Sequence, residues 1–111
     1  MRILSFVAIC LLLVFSSCTS EDIKTETFKV YGNCGMCKVT IESSLEGAKG
    51  VESAEWNIKS KMITVEYNPS ETDLSKIKRK IANVGYDTDE VRASDDVYSG
   101  LPQCCQYDRP E

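Results

Sequence analysis

The amino-acid sequence predicts an α+β domain in which strands and helices follow one another in the order βαββαβ. Residues 51–58 and 62–67 alternate between apolar and polar side chains on either side of a short charged turn, which is typical of a β-hairpin. Apolar residues at helical spacing occur once before this hairpin and once after it. The order is that of the ferredoxin-like sandwich, in which two helices cover one face of a four-stranded antiparallel sheet.

The first strand and the first helix enclose two closely spaced cysteines. Structured chain is expected from about Glu26, and the alternation over residues 28–32 predicts the first strand. Cys34 and Cys37 follow directly as a CxxC element. A helix from about Met36 to Ala48 is predicted by an apolar face whose members recur at spacings of four, four and three: Cys37, Ile41, Leu45 and Ala48.

The second helix and the last strand follow the hairpin. The apolar face of this helix consists of Leu74, Ile77, Ile81 and Val84. Ser70 or Thr72 is expected to cap its N-terminus, and Gly85 is expected to end it. Residues 86–93 then predict a short polar strand at an edge of the sheet.

The N-terminal residues have the pattern of an exported lipoprotein. Arg2 precedes an apolar run over residues 3–15, which is too short for a comfortable membrane span and suits a signal peptide. Small residues then stand immediately before Cys18, as in the lipobox of bacterial lipoproteins. We expect a lipoprotein signal peptide at 1–17 and a lipidated tether at 18–25, which anchors the chain in the bacterial cell envelope at a periplasmic or outer-membrane surface. An ordinary signal peptide, with Cys18 as a spare thiol, is the alternative.

Composition narrows the classes of function. The chain carries 13 basic and 17 acidic residues and a net charge of −4, so nucleic acid is not expected as a partner. It contains no histidine, which removes the usual proton shuttle and the commonest metal ligand. We therefore expect no enzyme. Cys10 leaves with the signal peptide and Cys18 takes the lipid, and the thiols that remain are Cys34, Cys37, Cys104 and Cys105.

The CxxC element alone is compatible with a redox disulfide, half of a zinc site, or a thiolate pair for a soft metal. An even number of cysteines in an exported chain suggests disulfides by default. A thiol–disulfide oxidoreductase is the competing class, because thioredoxin-like enzymes carry CxxC between a strand and a helix. Those folds commonly have an aromatic residue before the first cysteine and a later cis-proline loop. Here Asn33 precedes Cys34, and Pro69 opens a helix.

Residues 30–69 and 74–87 together resemble the heavy-metal-associated domain, a family of copper chaperones, metal-binding repeats of copper-exporting ATPases and periplasmic mercury-binding proteins. The resemblance rests on CxxC followed by Ile41-Glu42, on Gly50-Val51, and on Gly85-Tyr86. It assigns this domain to residues 26–93. It implies that Cys34 and Cys37 bind a heavy-metal ion, with Cu(I) favoured before Hg(II) and Zn(II). It also implies a metal-donor or acceptor protein with exposed thiols as the partner.

The physical chemistry of the motif agrees with this resemblance. Thiolates prefer soft ions, and a helix N-terminus lowers the pKa of a thiol. Tyr86 matches a tyrosine that lies near the site in bacterial copper chaperones, although a packing role is the alternative. The family usually has methionine and threonine before the first cysteine, where this chain has Gly32 and Asn33. Met36 instead lies between the cysteines and could offer a thioether.

The C-terminal tail, residues 94–111, carries the adjacent cysteines Cys104 and Cys105. The tail can fold back and add one or both thiolates to the CxxC pair. A four-thiolate site would suit Zn(II), and a three-thiolate site would hold Hg(II) or Cu(I) more tightly. Alternatively, a tail cysteine forms a disulfide that masks the CxxC pair, or the tail cysteines form a structural pairing or a separate weak site. Tyr98, Leu101 and Tyr107 can anchor the tail on the domain.

Overall fold

A computed structural model describes residues 22–111 of the chain. In this range the elements are β1 (Lys24–Lys29), α1 (Gly35–Leu45), β2 (Val51–Trp56), β3 (Met62–Tyr67), α2 (Leu74–Asn83), the short helix α3 (Asp95–Ser99) and a 3₁₀ turn (Gln103–Cys105). The predicted signal peptide and the lipidated Cys18 lie outside the described residues. None of the helices in this range is long and apolar enough to cross a membrane.

The sheet is antiparallel and has β3 at its centre, in the order β1-β3-β2. Phe28 of β1 and Trp56 of β2 both pair with Ile63 of β3. Along β3, Ile63, Val65 and Tyr67 are buried, and the residues between them are exposed. This alternation turns one face of the sheet towards the helices, because successive side chains of a strand point to opposite faces.

Both helices cover that buried face, which confirms the predicted ferredoxin-like arrangement. The core contains Cys37, Ile41 and Leu45 from α1, and Ile77 and Ile81 from α2. The predicted helix ends differ slightly from those observed. α1 ends at Leu45 rather than at Ala48, because Gly47 takes a positive φ of 72°. The cap of α2 is Asp73, whose side chain accepts a hydrogen bond from the Lys76 N–H.

The predicted fourth strand is reduced to a single antiparallel bridge between Val30 and Thr88. Its pairing cannot continue, because the chain turns directly after Thr88. The Thr88 N–H donates to the carbonyl oxygen of Val91 at 2.8 Å. The Thr88 hydroxyl accepts from the N–H groups of Glu90 and Val91. A threonine hydroxyl that bonds the following backbone stabilises a turn at the expense of a strand. At the other end of the sheet, β1 begins at Lys24 rather than at Glu26.

The tail, residues 94–111, packs on the domain as part of the same core. Cys105 and Tyr107 are buried and belong to the cluster that contains the sheet and helix residues. Leu101 packs on Gly85, where a Cβ would come within 3.0 Å of the leucine side chain. Gly85 also has a φ of 107°. Because glycine has no Cβ, it can adopt this conformation at the end of the helix and also leave room for the tail.

Candidate metal centre

The loop between β1 and α1 holds the two CxxC sulfurs side by side. Cys34 is the N-cap residue of α1, with an extended backbone, and Cys37 lies in the first helical turn. Residues three apart share one side of a helix, and the Sγ atoms of Cys34 and Cys37 lie 3.9 Å apart. Cys34 is half-buried and Cys37 is buried. In the described residues, both are free thiols.

The sulfur of Cys37 accepts a hydrogen bond from the backbone. The Asn33 N–H donates to the Cys37 Sγ at 3.4 Å. Burial alone would raise the pKa of Cys37, but the Asn33 and Cys34 backbone groups, with Cys105 and Tyr86 nearby, outweigh burial and lower this pKa. A lowered pKa makes the thiolate, the form that binds metal, available nearer to neutral pH.

Trp56 packs beneath the loop between β1 and α1, a role that the sequence analysis did not identify. Its ring is fully buried, and its Nε1–H donates to the Val30 carbonyl oxygen at 3.0 Å. A Cβ at Gly32 would lie 3.0 Å from the Trp56 ring. Gly32, where the family usually has methionine, therefore leaves the space beneath the loop to the indole. The sequence contains an indication of this contact: it has glycine instead of a large side chain at position 32, and it has a single tryptophan.

A clamp from α1 fixes Trp56 in this position. The Glu42 carboxylate accepts a hydrogen bond from the backbone N–H of Trp56 at 2.8 Å. Lys38 donates to the Trp56 carbonyl oxygen at 2.7 Å and pairs with Glu42 at 2.6 Å. These contacts hold the first helix and the end of β2 together.

The structure brings the tail cysteines to the CxxC pair. The sulfurs of Cys34, Cys104 and Cys105 all lie within 4.8 Å of one another, and those of Cys104 and Cys105 are 3.9 Å apart. Both tail residues are free thiols, with Cys104 exposed and Cys105 buried. Burial, with Cys37 close by, raises the pKa of Cys105 to about 12. Asn33 supports the contact, since its side-chain amide lies 3.4 Å from the Cys104 carbonyl oxygen.

Met36 stands at the rim of this sulfur cluster. The residue is 56% exposed, and its Sδ lies 3.7 Å from the Sγ of Cys104. A thioether is a soft ligand, so Met36 places one further soft sulfur beside Cys104.

The hydroxyl of Tyr86 lies near the sulfurs of Cys37 and Cys105. The residue is fully buried, and within residues 22–111 its hydroxyl has no hydrogen-bond partner at acceptable geometry. Burial raises its pKa, and Cys105 and Cys37 raise it further. The phenol is therefore a protonated donor close to two sulfurs, and a thiolate is a stronger acceptor for it than a thiol.

Aromatic packing and an ion pair hold the tail in its position. Tyr107 stacks on Tyr86, with ring centroids 5.7 Å apart. Its hydroxyl donates to the Gly85 carbonyl oxygen at 2.8 Å and accepts from the Asp87 N–H at 2.7 Å. Arg109 makes two hydrogen bonds to the buried carboxylate of Asp87, at 2.9 and 2.8 Å. The tyrosine anchor was anticipated from sequence, whereas the ion pair was not, because two charges far apart in the chain leave no periodic signal.

A zinc-transporting ATPase and a copper chaperone are among the proteins whose sequences are similar to this chain. A zinc-transporting ATPase of Synechocystis is 37% identical over 76 residues, which is 68% of this chain but only 10% of the ATPase. The copper chaperone CopZ of Staphylococcus aureus is 40% identical over 55 residues, which is 50% of this chain and 81% of the chaperone.

A comparison with solved structures and a comparison with protein families both indicate the same kind of domain. The CopZ metallochaperone structure aligns with a TM-score of 0.56 and 36% identity, over 59% of this chain and 98% of the other. Residues 27–87 match the heavy-metal-associated domain family. The matched domain is that of metallochaperones and is not itself catalytic, so the expectation of a non-enzymatic protein is confirmed. The match covers more than half of the chain, and the protein belongs to the heavy-metal-associated domain family.

Proposed function

We propose that this protein binds one thiophilic metal ion between Cys34 and Cys37. The observation that carries this proposal is the pair of sulfurs, 3.9 Å apart at the N-terminus of α1. The lowered pKa of Cys37 supports it, since metal binding requires the thiolate. The ion would be transferred to a partner or sequestered.

Cu(I) is the favoured ion, followed by Hg(II) and Zn(II). Two thiolates suffice for Cu(I), which prefers soft sulfur ligands. The similarity to a copper chaperone supports copper, and the similarity to a zinc-transporting ATPase keeps zinc in consideration. Mercury follows from the same affinity of thiolates for soft ions.

The partner would be a metal-donor or acceptor protein that exposes thiols of its own, such as a metal-binding domain of a P-type ATPase. Exchange of one thiolate for another moves the ion without releasing it into solution. Lipidation at Cys18 would hold the protein in the bacterial cell envelope, at a periplasmic or outer-membrane surface. The membrane would be contacted through this lipid anchor only, and the net charge of −4 argues against nucleic acid.

Metal titration of defined cysteine variants tests this function. The full chain with Cys10→Ser and Cys18→Ser, kept reduced and anaerobic in mild detergent, retains only the four thiols of the site region. Cu(I), Hg(II) and Zn(II) are titrated against competing chelators. We expect one Cu(I) per chain and a loss of tight binding in Cys34→Ser/Cys37→Ser. Val39→Ser, at an exposed position of the same helix, is the control. Unchanged affinity in the double cysteine variant would refute the proposal.

The alternative, a thiol–disulfide oxidoreductase, has less support. The thiol with the lowered pKa is Cys37, whose side chain is 0% exposed. A buried thiolate cannot reach a disulfide of another protein. We therefore expect the reduced chain to show no catalytic turnover of a model disulfide in the absence of metal, and sustained turnover would favour the alternative.

A further inference from the structure

We propose that Cys104 and Cys105 supply thiolates to the same metal ion, so that three or four sulfurs hold it instead of two. The inference rests on the proposed function, because it takes Cys34 and Cys37 as the first two ligands. It goes beyond that function because both tail cysteines lie outside residues 27–87, the part of the chain that matches the family.

The spacing of the sulfurs fits a single ion. The Sγ atoms of Cys34, Cys104 and Cys105 lie within 4.8 Å of one another, and Cys34 is 3.9 Å from Cys37. Thiolates at a metal–sulfur distance of about 2.3 Å in a tetrahedral site are about 3.8 Å apart. Shifts of the order of one ångström, within the range of side-chain rotation, would bring the sulfurs of Cys34, Cys104 and Cys105 to that spacing. Cys37 lies outside this group of three and would need a larger shift to become the fourth ligand.

The tail is anchored on both sides of its cysteines. On the N-terminal side, Leu101 packs on Gly85. On the C-terminal side, Tyr107 stacks on Tyr86, and Arg109 pairs with Asp87. A segment that is already docked loses little further conformational entropy when its side chains become ligands. The tail cysteines are therefore preorganised ligands rather than the ends of a free chain.

The buried hydroxyl of Tyr86 is a further polar group beside these sulfurs. It has no hydrogen-bond partner within residues 22–111, although Cys37 and Cys105 lie close enough to raise its pKa. A buried polar group without a partner is uncommon and calls for an explanation. A charge-assisted hydrogen bond to a metal-bound thiolate would satisfy it.

Additional thiolates favour retention over transfer. A two-coordinate ion leaves an open position for the thiolate of a partner, whereas here Cys104 or Cys105 would take that position. A four-sulfur site also suits tetrahedral Zn(II), which two thiolates alone hold poorly. We therefore assign this site to holding a metal ion in the envelope, with release requiring that the tail cysteines first dissociate.

X-ray absorption and zinc competition on the loaded chain test the inference. The parent is the full chain with Cys10→Ser and Cys18→Ser, and the variant adds Cys104→Ser and Cys105→Ser. We expect three sulfur ligands per Cu(I) in the parent and two in the variant. Zinc affinity should fall by roughly 100- to 1,000-fold for each thiolate lost, the scale obtained when the binding free energy of four-ligand zinc sites is divided among the ligands.

Two controls separate this inference from the proposed function. Cys104→Ser alone changes an exposed side chain, so its effect on metal binding cannot come from a damaged core. An unchanged coordination number and zinc affinity in both tail variants would overturn the inference, while loss of binding in Cys34→Ser/Cys37→Ser would leave the proposed function intact. Full retention of binding in Cys34→Ser/Cys37→Ser would instead overturn the proposed function.

Discussion

Replacing Arg109 with methionine tests whether the tail is an integral part of the fold. Arg109 makes a bidentate hydrogen bond to Asp87, and the side chains of the pair are 12% and 0% exposed. Methionine keeps much of the packing over the Tyr98 ring, which the guanidinium covers at 4.6 Å. The substitution therefore removes the charge and its hydrogen bonds and leaves most of the apolar contact.

The expected magnitude follows from the carboxylate left behind. Removal of one partner of a buried ion pair typically costs about 3–5 kcal/mol, because the remaining charge stays buried without compensation. Asp87 would still accept the Ala93 N–H at 2.7 Å, which argues for the lower end of that range. The second ion pair of Arg109, to the exposed Asp95, adds little. We expect a loss of about 3 kcal/mol in the free energy of unfolding at neutral pH.

Urea unfolding of the metal-free, reduced chain measures this loss. Arg79→Met, at an exposed position of α2, is the matched control and should stay within about 0.5 kcal/mol of the parent. The double variant Asp87→Asn/Arg109→Met should recover part of the loss, because a neutral amide costs less to bury than an unpaired carboxylate. A loss in Arg109→Met no larger than in Arg79→Met would refute the buried ion pair and, with it, the anchoring of the tail.

Three further predictions test the surrounding packing. Gly32→Ala places a Cβ 3.0 Å from the indole beneath the loop and should lower the unfolding free energy by about 1–3 kcal/mol in urea titration. Gly35→Ala, whose Cβ meets nothing within 4 Å, should not, and equal losses would contradict the packing. Tyr107→Phe removes two buried hydrogen bonds and should cost about 1–3 kcal/mol in the same assay. Tyr86→Phe removes a hydroxyl without a partner in residues 22–111 and should cost clearly less, so the reverse order would be a failure of the hydrogen-bond assignment. Burial would raise the pKa of Asp87, but Arg109 and the Ala93 N–H hold it below its usual range. This stabilisation is complete above the unfolded-state pKa of about 3.9 and is lost as the pH falls through the lower folded-state pKa. Thermal unfolding followed by circular dichroism should therefore show a falling midpoint below about pH 4, with a weaker dependence in Asp87→Asn.

The elements and the CxxC loop were predictable because they depend on local pattern. Apolar residues spaced three and four apart predicted the buried face of α1. Cys37, Ile41 and Leu45 are all buried on that face. Short-range periodicity also located the hairpin. The fourth strand was overpredicted, because a threonine at 88 suits a strand and also a turn, and the hydrogen bonds of its hydroxyl decide between them.

The contacts that complete the site were less accessible to sequence reasoning because they are long-range. No short-range sequence pattern links Gly32 with Trp56, although the absence of a side chain at Gly32 leaves the space that the indole fills. The pair of Arg109 and Asp87 joins residues 22 apart through no repeating pattern. The docking of the cysteine pair was one of three open alternatives, since adjacent thiols alone do not indicate where a tail lies.

The short fourth strand and the docked tail are two aspects of one arrangement. The carbonyl oxygen of Asp87 accepts from the Tyr31 N–H, on the side of β1. The N–H of Asp87 faces the other way and donates to the Tyr107 hydroxyl. An exposed edge strand would leave such a donor open to another chain, and here the tail covers it. The residues that end the sheet thus also anchor the segment that carries Cys104 and Cys105. Weakening this edge should loosen the tail and the metal site together, so the stability of the fold and the retention of the ion are expected to change in parallel.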